Sequence, residues 1–390
     1  MGERKSVDVL IVGSGPAGIS TALHLMQIEP AWAARIVIIE KAEHPREKLC
    51  GGGVTQLGEQ VLSDLGLSLE PAHIPVREMR LIGRHRIVAI HDARAPVFRI
   101  VRRDEFDHWL VRCGEKQRLL VRQGEAVTQV VPRDDAFDVH TDQTIFQAKM
   151  VVAADGSNST VGRKLKLPRK AGKARTLEVL TPETGQAAAF EQGIAEYDFT
   201  SSFDGLQGYC WNFPCMIQGK PFMSRGIFDS RVRPKRPRLH LKHVLRQKLA
   251  DEGKRLDDYE LRGFPIQWFD THGIVALPRL LFVGDAAGVD PFFGEGISFA
   301  LAYGAVAAQE IARAFASQNF SCSGYQKRIL AHPILKKLRT RVTVAHTLYT
   351  LSRFPWLAGK LWDITPFMIR MLARCHPEAL PFTQPRIYNI

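Results

Sequence analysis

The sequence predicts an α/β protein, α+β overall, in which a Rossmann-like domain is interleaved with an antiparallel-sheet domain and followed by C-terminal helices. Three observations predict it. Apolar strands run into Gly-rich or Asp-Gly turns at three separated places, near residues 7–18, 150–163 and 279–288. The stretches between them are rich in short β segments. From Tyr325 onward the chain reads as short helices broken by Pro355 and Pro366.

The first unit carries the most information. Val7 to Val12 is an apolar strand leading into Gly13-Ser14-Gly15-Pro16-Ala17-Gly18, then a helix with Ala17, Thr21, Ala22 and Leu25 on one face. Gly13 permits the tight turn, Gly15 lets backbone approach a pyrophosphate, and Gly18 lets the helix pack on the strand with its N-terminus facing the anion. A second apolar strand from Arg35 ends in Glu40, a carboxylate suited to ribose hydroxyls. Together these form a dinucleotide-site pattern.

After Lys41 comes a second glycine-rich loop, Lys48-Leu49-Cys50-Gly51-Gly52-Gly53. Successive glycines clear side chains from one wall, as a flat ring stacked on backbone requires, whereas a flexible surface turn is the plainer alternative. Cys50 is suited to pack beside such a ring and donate a proton; a buried structural cysteine is the alternative. Residues Glu59 to Leu65 read as helix, and Val76 to Ile82 and Ile87 to His91 as β-rich. Asp104 is the expected N-cap of a helix with Phe106, Trp109 and Leu110 on its apolar face, leaving Arg103 just outside it, either to reach a cofactor phosphate or as a solvated arginine. Leu119 to Val121, Ala126 to Val131 and Phe137 to His140 read as short strands.

The remaining two units repeat the design. An apolar strand from Met150 delivers Asp155-Gly156, and another from Arg279 delivers Gly284-Asp285, each placing a carboxylate at the ligand edge of an open α/β sheet. Pro291-Phe292-Phe293-Gly294-Glu295-Gly296-Ile297 follows, then an alanine-rich helix from Ser298 to about Phe315. That helix N-terminus carries about half a positive charge, which would stabilise an anionic reduced ring through Gly296 and Ile297.

In this order GSGPAG with Glu40, ADGSNSTVGR, and FVGDAAG with PFFGEGI resemble the FAD-binding domain of para-hydroxybenzoate hydroxylase-like flavoproteins, across residues 5 to about 315. The resemblance implies that FAD is held by Gly13, Gly15, Gly18, Glu40, Arg103, Asp155 and Asp285. It extends the site to Pro16, Ala17, Lys41, Cys50, Gly51, Gly52, Gly53, Ala126, Val127, Gly156, Gly294, Gly296 and Ile297. Lys48 to Gly53 is similar to the KxCGGG loop of geranylgeranyl reductases, and Tyr209-Cys-Trp211-Asn-Phe213-Pro214 to their YxWxFP motif. Those enzymes use reduced FAD to saturate carbon–carbon double bonds in prenyl chains of lipids, quinones or chlorophyll precursors. On this reading Cys50 is the candidate catalytic residue, and Tyr209, Trp211, Phe213 and Pro291 are the candidate substrate-binding residues. Strand alternation independently puts the three aromatics on one face, as an apolar wall or an ordinary core. The downstream GxG departs from the family, because Gly226-Ile227-Phe228 has phenylalanine at the second glycine.

An FAD-dependent monooxygenase is the competing reading, since the FAD domain is shared. Halogenases resemble one another in a lysine some tens of residues after the Cys50 loop, and this sequence has none between Lys48 and Lys116. The expected FAD-binding segments are 1–75, 100–168 and 270–320, the substrate-binding segments 76–99 and 169–269 with a helix near His240 to Asp251, and the C-terminal helical region 321–390.

Six cysteines (Cys50, Cys113, Cys210, Cys215, Cys322 and Cys375) show no CxxC or Cys/His spacing, which argues against zinc or a disulfide framework. No metal site is expected. No uncharged apolar run reaches the ~18 residues of a bilayer span, and no secretory signal precedes the first strand. A cytoplasmic location is therefore expected. A formal net charge of +13 suits an anionic partner. No nucleic-acid motif is visible, so lipid is favoured. The tail from Tyr325 holds eleven basic residues, among them Arg353, Lys360, Arg370 and Arg374, against Asp363 and Glu378, with Phe354, Trp356 and Phe367 interleaved. This pattern suits the inner face of an anionic membrane; a helical cap with solvated charges is the alternative. There is no second nucleotide fingerprint, so the electron donor is expected to be a transient NAD(P)H or a ferredoxin-like protein.

Overall fold

A computed structural model of the chain describes residues 3–92, 94–168, 172–352, 354–375 and 385–389. Its first sheet is built on five parallel strands in the order Leu120–Arg122, Ile36–Ile39, Glu3–Val12, Thr144–Ala153 and Leu280–Phe282. Val9, Leu10, Ile11, Ile38, Val151 and Leu281 are fully buried, as strands covered on both faces require. Val12 lies opposite both Ile39 and Ala153, and Ala153 opposite Phe282. The turns that follow these strands therefore share one edge of the sheet.

Helix Pro16–Ile28 packs against helix Ile297–Ser317 over this core. The approach is close: a Cβ on Gly304 would lie 2.3 Å from the Ser20 hydroxyl and 2.6 Å from its backbone. The Ser20 hydroxyl in turn donates to the Leu301 carbonyl at 2.7 Å. The long helix begins at Ile297 with Gly296 as its N-cap, and no side chain caps it.

Asp104 is not an N-cap. The helix spans Arg103–Lys116 behind an extended Arg102, so Arg103 lies inside it, one turn before its partner Asp107. Asp104 and Glu105 occupy the first turn, where carboxylates favourably meet the helix dipole without capping.

The second sheet has eight strands in the order Arg262–Gln267, Lys173–Pro182, Lys220–Asp229, Gly208–Ile217, Ile194–Asp198, Glu78–Ile82, Ile87–Asp92 and Pro385–Asn389. All pair antiparallel except Ile194–Asp198 with Glu78–Ile82. Alternation sorts its faces. Tyr209, Trp211 and Phe213 join one apolar cluster, while Cys210 turns to the opposite face with Leu241, Leu245 and Leu249 of helix Leu241–Asp251. A small sheet of Gly53–Thr55, Phe98–Val101 and His73–Val76 straddles the expected domain borders at 76 and 99.

The tail contributes helices Tyr325–Ala331, Lys336–Leu351, Pro355–Asp363 and Thr365–Cys375. It is not wholly helical. Strand Pro385–Asn389 closes the edge of Ile87–Asp92, with Ile387 turned inward and Arg386 and Tyr388 exposed. Arg353 and Glu378 lie outside the described residues.

Gly304→Val forces a side chain into the Ser20 backbone. It is expected to destabilise by about 1–3 kcal/mol. The check is a lower midpoint of thermal unfolding, with the absorbance spectrum of the folded fraction unchanged.

Candidate functional site

One cavity of about 710 Å³ lies between the shared edge of the first sheet and the aromatic face of the second. Its first arm is a cradle of backbone. Gly13 has φ +108°, and a Cβ there would sit 2.5 Å from the Ala154 carbonyl oxygen. A Cβ on Gly18 would sit 2.0 Å from the Gly13 oxygen. Gly18 is therefore a packing residue behind the wall, whereas Gly13, Gly15, Pro16 and Ala17 line it.

Glu40 locks the turn to the second strand. It accepts from the Ser14 N–H at 3.0 Å and the Ser14 hydroxyl at 3.1 Å, and its other oxygen accepts from the Ala42 N–H at 3.2 Å. Lys41, Ala126, Val127, Asp155 and Gly156 complete this end. Asp155 also accepts from the Val161 N–H at 2.8 Å, which holds the start of helix Thr160–Lys164.

Arg103 faces the cavity but is not a free cation. It donates twice to Asp107 at 2.8 Å, and Arg46 approaches the same carboxylate at 3.2 Å. The pair raises the Arg103 pKa further, against the opposing effect of burial.

Lys48 was legible only as part of a loop motif, and it differs. It has no hydrogen bond or ion pair among the described residues, and its Nζ sits 3.0 Å from the centroid of the Phe264 ring. Burial pushes this ammonium down to about 8, with Asp285 opposing the shift. Asp285 likewise accepts no hydrogen bond from a described residue, and both line the same cavity. A lone cation and a lone carboxylate beside a side-chain-free turn fit a ligand that carries both phosphates and hydroxyls. FAD meets that description: Asp285 would accept a hydroxyl, Lys48 would face a phosphate, and Gly13 and Gly15 would let the diphosphate reach backbone.

The Cys50 loop joins the two arms. A Cβ on Gly51 would press to 3.0 Å from the Phe213 ring, and one on Gly52, at φ +77°, would sit 2.0 Å from the Val101 carbonyl. Gly53 follows as the first residue of the small sheet. The Cys50 sulfur accepts from the Gly52 N–H at 3.4 Å and lines the cavity. Opposite, Gly294, Gly296 and Ile297 bring an uncapped helix N-terminus to the wall.

The second arm is aromatic. Tyr209, Trp211 and Phe213 line it together with Tyr197, Phe199, Phe228 and Phe293. Two of these side chains have their polar atoms engaged by the protein: the Tyr209 hydroxyl donates to the Phe293 carbonyl, and the Trp211 N–H to the Ser224 hydroxyl at 2.9 Å. Burial raises the Tyr209 pKa well above that of a free phenol.

Pro291 does not line the cavity. Asp290 accepts from the N–H groups of Phe292 and Phe293, at 2.7 and 3.2 Å, and this turn sends those two rings into the space instead. The Pro291 carbonyl accepts from the Ser230 hydroxyl.

Sequence reasoning missed the tail's part in this arm. Val344, Leu348, Tyr349, Trp362, Thr365 and Ile369 wall it, so these helices do more than cover the first sheet. No local signal could have found them, because an apolar helix face does not name the surface it covers.

The Lys48 geometry has a measurable consequence. The folded apoprotein should bind FAD more weakly as pH rises through about 8, because the protonated ammonium is the form that attracts phosphate. Lys48→Gln should weaken binding about tenfold at neutral pH and remove that pH dependence. Titration of flavin fluorescence with apoprotein checks both.

Residues 6–312 match the family described as FAD binding domain. A menaquinone reductase of Mycolicibacterium smegmatis is 30% identical over 330 residues, covering 77% of this chain and 75% of that protein. A digeranylgeranylglycerophospholipid reductase of Thermoplasma volcanium is 26% identical over 339 residues, 81% of each. Among solved structures, a geranylgeranyl bacteriochlorophyll reductase-like protein of Thermoplasma acidophilum superposes with a TM-score of 0.72 at 22% identity, covering 95% of this chain and 99% of that one. With the cradle described above, these likenesses show that the chain belongs to the FAD binding domain family as an FAD-dependent oxidoreductase of the geranylgeranyl reductase group.

Proposed function

We propose that the protein saturates carbon–carbon double bonds of an isoprenoid chain borne by a lipid, a quinone or a chlorophyll precursor. The observation that carries this reading is the continuity of the cavity, from the glycine cradle past Cys50 into an arm walled by aromatic rings and the tail helices. An extended apolar chain fits such an arm, and the reductase-named relatives favour the same chemistry.

When bound and reduced, FAD supplies hydride to one alkene carbon. The second carbon needs a proton, which Cys50, lining the cavity, would deliver from its sulfur and recover from water. The Gly52 N–H stabilises the thiolate left behind. Tyr209 serves differently. Its proton is committed to the Phe293 carbonyl, so it shapes the wall and leaves acid chemistry to another group. Tyr209, Trp211 and Phe213 hold the chain and keep water from an alkene that has no polar handle, so positioning contributes much of the rate. The electrons would come from NAD(P)H or a ferredoxin-like protein.

The test is anaerobic. Dithionite-reduced enzyme mixed with a prenyl-quinone or prenyl-lipid should reoxidise, and the lipid should gain the mass of two hydrogens. Substrate-stimulated oxygen consumption without that gain would make the enzyme a monooxygenase. Cys50→Ala should bind FAD normally but slow anaerobic reoxidation about 100-fold, the low end of general-acid effects. Full turnover in that variant would remove Cys50 as the donor.

A further inference from the structure

A prenyl chain resides in a bilayer, so a cavity that takes one needs a route from lipid. Helices Pro355–Asp363 and Thr365–Cys375 have two different sides. Trp362, Thr365 and Ile369 line the cavity, and Trp362 is held by its N–H on the Arg86 carbonyl at 3.3 Å and by its ring 5.6 Å from Phe199. Other residues of the same segment face away. Phe354, Trp356, Ile364, Phe367 and Met371 are 39%, 65%, 48%, 62% and 41% exposed.

Single exposed apolar residues are ordinary on a soluble surface, but a concentration of them is not. Nine large apolar side chains are exposed among the described residues, and five of them fall within 354–371. The charge of the segment adds a second argument. Lys360 and Arg370 are exposed, with the Lys360 ammonium 5.7 Å from the Trp356 ring, and Asp363 is the sole acid between 354 and 375. Aromatics with basic neighbours match the interface of an anionic bilayer, where rings sit at headgroup depth and cations meet phosphates. No helix here is long and apolar enough to cross a membrane.

We propose that the outward side of helices Pro355–Asp363 and Thr365–Cys375 docks on a bilayer containing anionic phospholipid, placing the tail-walled arm of the cavity at the lipid surface. Trp356 and Phe367 enter the headgroup layer, Lys360 faces lipid phosphate, and the prenyl chain passes beside Trp362 and Ile369 into the arm. The docking deepens the prenyl-reductase reading and rests on it for its purpose, but can be measured without it.

The FAD-loaded protein is sedimented with vesicles of phosphatidylcholine, with or without phosphatidylglycerol. Binding is expected only with phosphatidylglycerol. Lys360→Gln should lower the partition coefficient about fivefold, and the Trp356→Ser/Phe367→Ser double variant should abolish binding. All variants should keep their flavin spectrum and dithionite reduction. Anaerobic oxidation by a detergent-dispersed prenyl substrate should also be unchanged, while oxidation by the same substrate in vesicles falls. The proposal is overturned if the parent protein ignores anionic vesicles, or if the aromatic variants bind as well as the parent and leave only the general positive charge at work. It is also overturned if those variants change the oligomeric state and not vesicle binding, which would make the patch a contact between copies. If vesicles bind as expected but no prenyl substrate is reduced in any form, the docking stands and the substrate reading fails.

Discussion

Arg341 makes the join on which the cavity depends. It sits buried on helix Lys336–Leu351 and bridges Asp290 at 2.5 Å and Glu295 at 2.6 Å, both on the loop that feeds the cavity-facing helix. Glu295 also accepts from the Thr55 hydroxyl at 2.6 Å, which brings in the small sheet. Burial raises the Asp290 pKa while Arg341 works against the rise. Breaking such a pair from one side costs about 3–5 kcal/mol, because it strands a buried charge. One guanidinium therefore fixes the tail, the glycine loop and the turn at Phe292 and Phe293 relative to one another.

Much of the nucleotide arm was legible because its logic is local. Gly13, Gly15 and Glu40 read as a unit since strand, turn and helix follow in sequence, and the backbone crowding at Gly13 and Gly18 is what that spacing encodes. The aromatic strand was legible for a similar reason: alternation alone places Tyr209, Trp211 and Phe213 together. What escaped lay in long-range contact. Nothing near Lys48 announces Phe264, nothing near Arg341 announces Asp290, and nothing in the tail announces a cavity wall. Asp104 shows a smaller limit, because cap and first turn share the same preference for acidic residues and Asp104 stands only two positions past the cap at Arg102.

The two arms carry different information about chemistry. A backbone cradle of glycines belongs to many flavoproteins, and fold alone does not choose a reaction. Individuality lies in the second arm. Phe228 stands where the family motif has its second glycine; its ring comes 3.0 Å from the Cβ position of Gly294 and 5.4 Å from the centroid of Tyr209. Gly226, two residues earlier, must stay bare because the Trp211 ring lies 2.2 Å from where a Cβ would be. Size is thus exchanged between neighbours on one strand, narrowing the passage on one side while admitting an indole on the other.

Strand Pro385–Asn389 has a consequence for biosynthesis. Its partner, Ile87–Asp92, is translated long before it, and the Leu280–Phe282 strand of the first sheet also emerges earlier. A nascent chain can therefore complete its first sheet while the second still shows an open edge with unpaired backbone groups. That edge is a ready template for another nascent chain on the same polysome, and this exposure to co-translational aggregation lasts until strand Pro385–Asn389 leaves the ribosome.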